Sequence, residues 1–183
     1  MSTIHLDDAL LESELFRAFP KEAHGELQVC LAEVTGASGE VLFEQGSTSD
    51  CLYLIRRGRA DVMVSSQGME QLVASHGPGA SVGEVALVTG ARRSARVVMH
   101  GDFSLLRLSQ PDFVDLGSRY PDALTRYTSM LLPRIRRAQA VGAVVSLFGQ
   151  LAPAALDDLL DALESCSLFS GEVLFRQIGR AHV

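Results

Sequence analysis

Between residues 82 and 97 the chain brings together a glycine, a carboxylate, two first-turn amides and an arginine pair: Gly83, Glu84, Val85, Ala86, then Arg92 and Arg93, followed by Ser94 and Ala95. Each type has a use beside an anion. Gly83 lets backbone approach a ligand closely, and the free N–H groups of a helical turn opening around Val85 and Ala86 attract negative charge. A guanidinium at Arg93 forks onto phosphate oxygens, whereas the Glu84 carboxylate repels phosphate and is a natural acceptor for a ribose hydroxyl. Together they suit the two polar ends of a small nucleotide. The same Gly-Glu-apolar-Ala-Leu run also occurs in buried helices, and arginine pairs are common on surfaces, so the stretch takes its meaning from its surroundings.

Those surroundings are strands. From residue 39 to 108 short β-type runs alternate with turn residues: 41–43, 51–55, 60–64, 71–74, 97–99 and 103–108, separated by 46–50, Arg57-Gly58, Gln67-Gly68 and His76-Gly77-Pro78-Gly79. Close, regular spacing with Gly and Pro turns predicts an antiparallel sandwich or barrel. Helices flank it. Residues 6–19 carry Leu6, Leu10, Leu11, Leu15 and Phe19 at amphipathic spacing with acids early in the stretch, and a second helix is expected over 23–31. After residue 108, Ser109 is a suitable N-cap with Pro111 in the first turn, and Leu124, Tyr127, Leu131, Ile135 and Ala138 recur at helical spacing. Pro133 predicts a kink or break near Leu131 or Leu132. Arg134, Arg136 and Arg137 then read as a solvated, dipole-complementing C-terminal turn.

One repeat is plain. Gly39-Glu40-Val41-Leu42-Phe43-Glu44-Gln45 returns as Gly171-Glu172-Val173-Leu174-Phe175-Arg176-Gln177, a shift of 132 that also carries Leu15-Phe16 onto Leu147-Phe148, Leu27 onto Leu159 and Leu31 onto Leu163. The expected organisation is one complete unit over 1–140, the opening of a truncated second copy over 141–177, and a non-native tail over 178–183. That tail, Ile178-Gly179-Arg180-Ala181-His182-Val183, reads as one frame of a common sequencing adapter.

With strands on both sides, the 82–97 stretch resembles the phosphate-binding cassette of the cyclic nucleotide-binding domain family: Gly83, Glu84, Ala86, Leu87, Arg93, Ser94 and Ala95 match in type and spacing. Upstream, Gly39-Glu40-Val41-Leu42-Phe43, Gln45-Gly46, Asp50 with the apolar run behind it, and Gly58 are similar to the family's usual opening. The resemblance spans about residues 10–140. It implies a mainly β fold, an eight-stranded antiparallel β-roll of jelly-roll type with N-terminal and C-terminal helices, and a cyclic mononucleotide, cAMP or cGMP, as ligand. By the same resemblance Glu84 accepts from the ribose 2′-hydroxyl, Arg93 pairs with the cyclic phosphate, and the amides of Val85 and Ala86 add donors. Ser94 stands where a hydroxyl contacts phosphate or a guanine edge. Val62 and Val73 line the roll against sugar and base, or else are ordinary core residues. The C-terminal helix caps the base, with Tyr127 or Leu131 as the capping side chain by helix phase. Val82, Arg92 and Arg96 depart from the family's Phe, Pro and Thr or Ser.

The implied function is a regulatory sensor. Tandem sensors of this kind also resemble those of patatin-like phospholipases of the neuropathy-target-esterase type, so a regulatory fragment of a larger enzyme is an alternative. Others are a catabolite-activator-like transcription regulator and a degenerate interaction domain. No Gly-x-Ser-x-Gly elbow, Walker-type loop or carboxylate pair is present, so no catalytic role is expected within these residues.

Composition narrows the setting. With 47% hydrophobic and 21% charged residues the chain reads as globular, and its formal net charge of −6 disfavours a nucleic-acid or anionic-membrane partner. Cys30, Cys51 and Cys166 are odd in number and widely spaced, which fits a reducing cytoplasm and neither a disulfide framework nor a zinc site. The five histidines stand singly, so no metal is expected. Residues 1–14 are acidic where an export signal starts positive, and the apolar-looking run 140–148 is far short of the about 20 residues of a span.

Overall fold

The computed structural model describes residues 6–66, 68–149 and 151–163. Six strands form one antiparallel sheet: β1 (Leu31–Gly36), β2 (Val41–Phe43), β3 (Cys51–Ser66), β4 (Met69–His76), β5 (Ser81–Val82) and β6 (Arg96–Ser109). The hydrogen-bonded order is β1-β6-β3-β4, with β2 also on β6 and β5 also on β3. The β3–β6 ladder runs from Cys51 opposite Ser109 to Met63 opposite Arg96.

Among the described residues the expected count of eight strands is corrected to six. The runs predicted at 51–55 and 60–64 are one bent strand, as are those at 97–99 and 103–108. Gly58 explains why the chain bends without stopping. Its φ of 92° lies in the left-handed region, a Cβ there would come within 2.8 Å of Phe103 Cβ, and the register slips on both sides of Arg57. The mainly β expectation is also corrected, because helices take 46% of the described residues and the class is mixed α/β.

Helices differ from expectation at their ends. The predicted 6–19 helix is two, α1 (Asp8–Leu11) and α2 (Glu14–Ala18), because Ser13 restarts the chain as an N-cap whose side chain accepts from Phe16 N. A 3-10 turn, Lys21–Ala23, leads into α3 (His24–Val29), and Leu31 already belongs to β1, paired with Leu108. After α4 (Glu84–Thr89) and β6, Ser109 caps α5 (Gln110–Arg119), accepting from Asp112 N at 3.2 Å. The chain breaks at Tyr120 and continues as α6 (Pro121–Phe148), then α7 (Pro153–Ala162).

Of the kink or break expected at Pro133, the break does not occur: α6 runs through it. An interior proline costs about 3 kcal/mol. Tyr127, Leu131, Val141, Val144 and Val145 are buried on either side of it, and each such side chain contributes about 1.5–3 kcal/mol, so packing wins. The large core lies between the helices and one end of the sheet, with Phe16, Leu27, Leu52, Leu54, Leu106, Leu108, Tyr127 and Leu131 at its centre. A smaller cluster, Val64, Ala95, Val141 and Val145, joins the far half of α6 to the sheet. The repeated run at 171–177 and the expected tail at 178–183 lie outside the described residues. No described helix is long and apolar enough to cross a membrane.

Candidate functional site

Strand β5 hands the chain to α4 through Gly83, at φ 84°. No other residue fits there. Besides the left-handed backbone, a Cβ would collide with the Arg93 guanidinium and come within 3.3 Å of the Phe43 ring. Gly90, also left-handed, closes the short helix and starts the loop that returns to β6. That loop is pinned by its backbone: Arg93 N donates to Ser47 O at 2.9 Å, and Gly46 N donates to Arg93 O at 2.8 Å.

Arg93 therefore points inward and is only 3% exposed. Its Nη1 donates to Gly83 O and its Nη2 to Cys51 O, both at 2.7 Å, and the guanidinium carbon sits 4.1 Å from the Phe43 ring centroid. The buried Nε has no acceptor. Among the described residues no carboxylate lies within ion-pair distance of Arg93. The two neighbouring arginines are committed elsewhere. Arg92 donates to Gly46 O, and Arg96 pairs with Glu44 and Glu70.

Beside Arg93 lies a cavity of about 210 Å³. All nine residues singled out in the sequence line it: Val62, Val73, Gly83, Glu84, Val85, Ala86, Arg93, Ser94 and Ala95. Glu84 is buried, and its carboxyl is pushed above the usual carboxylate range by burial, with the Arg134 guanidinium opposing that shift. His76, which also lines the cavity, is held below the ordinary imidazole value by burial and then by the Arg134 charge.

The capping residues proposed from helix phase are corrected. Tyr127 and Leu131 are fully buried in the large core and do not line the cavity. The stripe they belong to continues past Pro133, and its next turns, Arg134, Arg137, Ala138 and Val141, form the cavity's helical wall. Arg136 and Arg137 are exposed, but the three arginines do not end the helix, and Arg134 turns to buried partners. Arg134 Nη1 lies 3.0 Å from the Glu14 carboxylate and 3.4 Å from both Glu84 and Ser81 Oγ, while Arg137 pairs with Asp157 of α7. The helical spacing noted from Leu124 to Ala138 already ran across the proline; extending it to Arg134 and Val141 gives the wall.

Residues 33–120 match the family described as Cyclic nucleotide-binding domain. The chain is 31% identical over 164 residues to a cAMP-dependent protein kinase regulatory subunit of Blastocladiella emersonii, covering 89% of this chain and 38% of that protein. It is 31% identical over 99 residues to the Patatin-like phospholipase domain-containing protein 6 of Mus musculus, covering 54% of this chain and 7% of that one. The chain thus spans well under half the length of either curated relative. Among solved structures, the N-terminal domain of a transcriptional regulator from Streptomyces coelicolor A3(2) superposes with a TM-score of 0.60 at 30% identity, covering 73% of this chain and 94% of that one. By motif, by fold and by these likenesses, residues 33–120 belong to the cyclic nucleotide-binding domain family.

Proposed function

We propose that this chain is a regulatory sensor that binds a cyclic mononucleotide, cAMP or cGMP, and relays the event through α6. The observation that carries the reading is Arg93, a buried cation that has no carboxylate partner among the described residues and whose Nε lacks an acceptor there. Burying an uncompensated charge is costly, and a phosphate in the adjoining cavity removes that cost. In this reading Arg93 pairs with the cyclic phosphate, the amides of Val85 and Ala86 add donors, and Ser94 and Ala95 line the phosphate end. Glu84 accepts from the ribose 2′-hydroxyl, and Val62 and Val73 pack on sugar and base.

The relay follows from size and from Arg134. A cavity of about 210 Å³ is below the roughly 300–1,000 Å³ of small-molecule sites, so a nucleotide needs the α6 wall to give way. The ribose hydroxyl also competes with Arg134 for Glu84. A ligand shifts α6 only by the difference in its affinity for the two helix positions.

Calorimetric titration with cAMP and cGMP tests this. We expect wild type to bind at least one of them, with Arg93→Ala weaker by on the order of 30-fold or more, as for other truncated buried charge pairs, and Glu84→Ala also weaker. Failure of wild type to bind, or equal binding by all three proteins, overturns the reading.

We further infer that residues 141–177 open a second copy of the domain, followed by a non-native tail. Helix placement supports this: Lys21–Ala23 and His24–Val29 move by the shift of 132 onto 153–161, and α7 is Pro153–Ala162. A longer clone with Gly at position 178, where the first copy has Gly46, is the expected outcome, and one that keeps Ile178 overturns it.

A further inference from the structure

One guanidinium serves several groups around the cavity. Arg134 Nη1 lies 3.4 Å from the Glu84 carboxylate and from Ser81 Oγ, and 3.0 Å from Glu14. Glu84, on α4, is faced by Glu14 from α2, by Ser81 from β5, and by Arg134 and Tyr127 from α6. His76 of β4 lines the same cavity and feels the Arg134 charge. The other charged side chains lining it, among the described residues, are Arg93 and Arg137, and arginine does not give up its proton. Burial holds the Tyr127 hydroxyl above its usual range, so it stays neutral. On the wall itself two groups can exchange a proton with the medium, Glu84 and His76. Arg134 favours the deprotonated form of both, for it opposes the burial that raises Glu84 and adds to the burial that lowers His76.

We propose that nucleotide binding at this site is coupled to proton uptake: the ligand takes Glu84 from Arg134, and the wall that loses this cation gains protons in its place. This rests on the functional reading above. The ribose hydroxyl that replaces Arg134 is neutral, so Glu84 exchanges a positive neighbour at 3.4 Å for a hydrogen bond alone. His76 is released from the same charge as the α6 wall gives way. The phosphate brings a negative charge into the cavity, and its pairing with Arg93 cancels the buried cation that remains. Every change favours the protonated forms. Protonation does not end the ribose contact, because a neutral carboxyl still accepts through its carbonyl oxygen. Nor is Arg134 stranded, since Glu14 already holds it at 3.0 Å. By linkage, a site that gains protons on binding holds its ligand more tightly as pH falls.

The test is calorimetric titration of the full chain with cAMP and cGMP between about pH 5 and 8, in phosphate-free buffers of unlike ionisation enthalpy. Neither ligand titrates in that window, so any protons exchanged belong to the protein. Wild type is expected to take up protons, with affinity rising as pH falls by up to about tenfold per pH unit for each proton gained. Glu84→Gln and His76→Gln should each take up fewer protons and flatten that slope. In Arg134→Gln the cation is gone before the ligand arrives, so uptake should shrink there too. Proton release, or no exchange, by a wild type that binds overturns this inference and leaves the sensor reading standing, as does an uptake that all three variants retain in full. Absence of binding by both nucleotides across the window overturns both.

Discussion

Arg134 of α6 holds the buried carboxylate of Glu84 at 3.4 Å, and the same nitrogen lies 3.0 Å from Glu14 in α2. A single guanidinium thus ties the helix before the sheet and the helix after it to the floor of the cavity. Replacing it should be felt as lost coupling. Arg134→Gln is expected to destabilise the fold by about 1–2 kcal/mol, because Glu84 stays buried without its cation. Glu84→Gln in the same background should recover part of that loss. Urea unfolding of the two single variants and the double variant measures the coupling, and strict additivity of the two changes would refute it.

Acidity offers a second check on Glu84. Its folded carboxyl is raised, chiefly by burial, so the stability it contributes is fully present below its unfolded value near 4.5 and is lost as pH rises through the folded value. Relative to Glu84→Gln, wild type should therefore weaken as pH rises from its unfolded value through the raised folded one. Parallel stability curves for the two proteins would remove burial as the controlling influence.

His76 has the opposite sign. Its folded value lies below the ordinary 6.5, through burial and then Arg134, so its contribution to stability is present above that value and is lost as pH falls. NMR titration of the imidazole should show it still neutral at pH values where an exposed histidine is charged. In Arg134→Gln the midpoint should move up toward 6.5, and an unchanged midpoint would contradict the assigned cause.

Gly83→Ala combines a left-handed backbone with a collision against Arg93. We expect a loss of about 2 kcal/mol or more in denaturant unfolding. Nucleotide affinity should fall as well, since the guanidinium must move to make room. A variant as stable as wild type would mean that α4 starts elsewhere.

Much of the site was legible because it is local. Gly83, Glu84, Arg93 and Ser94 are close in sequence, and the turn that brings them together is set by glycines and by backbone bonds to the Gly46-Ser47 corner. Arg92 and Arg96 competed with Arg93 on paper, and their partners, Gly46 O and the Glu44 and Glu70 carboxylates, remove them. The helical wall was misplaced for a different reason. Pro133 suggests a kink or break by local rules, yet packing on both sides carries α6 through it, so Arg134 reaches Glu14 and Glu84 and both Arg134 and Arg137 border the cavity where a solvated helix end was expected. The strand count erred similarly. Gly58 looks like a stop in sequence and acts as a bend, while β1, over Leu31–Gly36, takes its place from pairing with β6 and not from any local pattern.

Val64, Ala95, Val141 and Val145 form a patch apart from the large core, and they are the main apolar anchorage of the far half of α6. At about 1.5–3 kcal/mol for each valine, the patch is worth an amount comparable to the roughly 8 kcal/mol of a micromolar association. On the proposed sensor reading, the door hangs on a catch that one small molecule can match in strength, while the frame around it stays shut. Had those valines been fused with the leucines of the main core, opening would have meant unfolding.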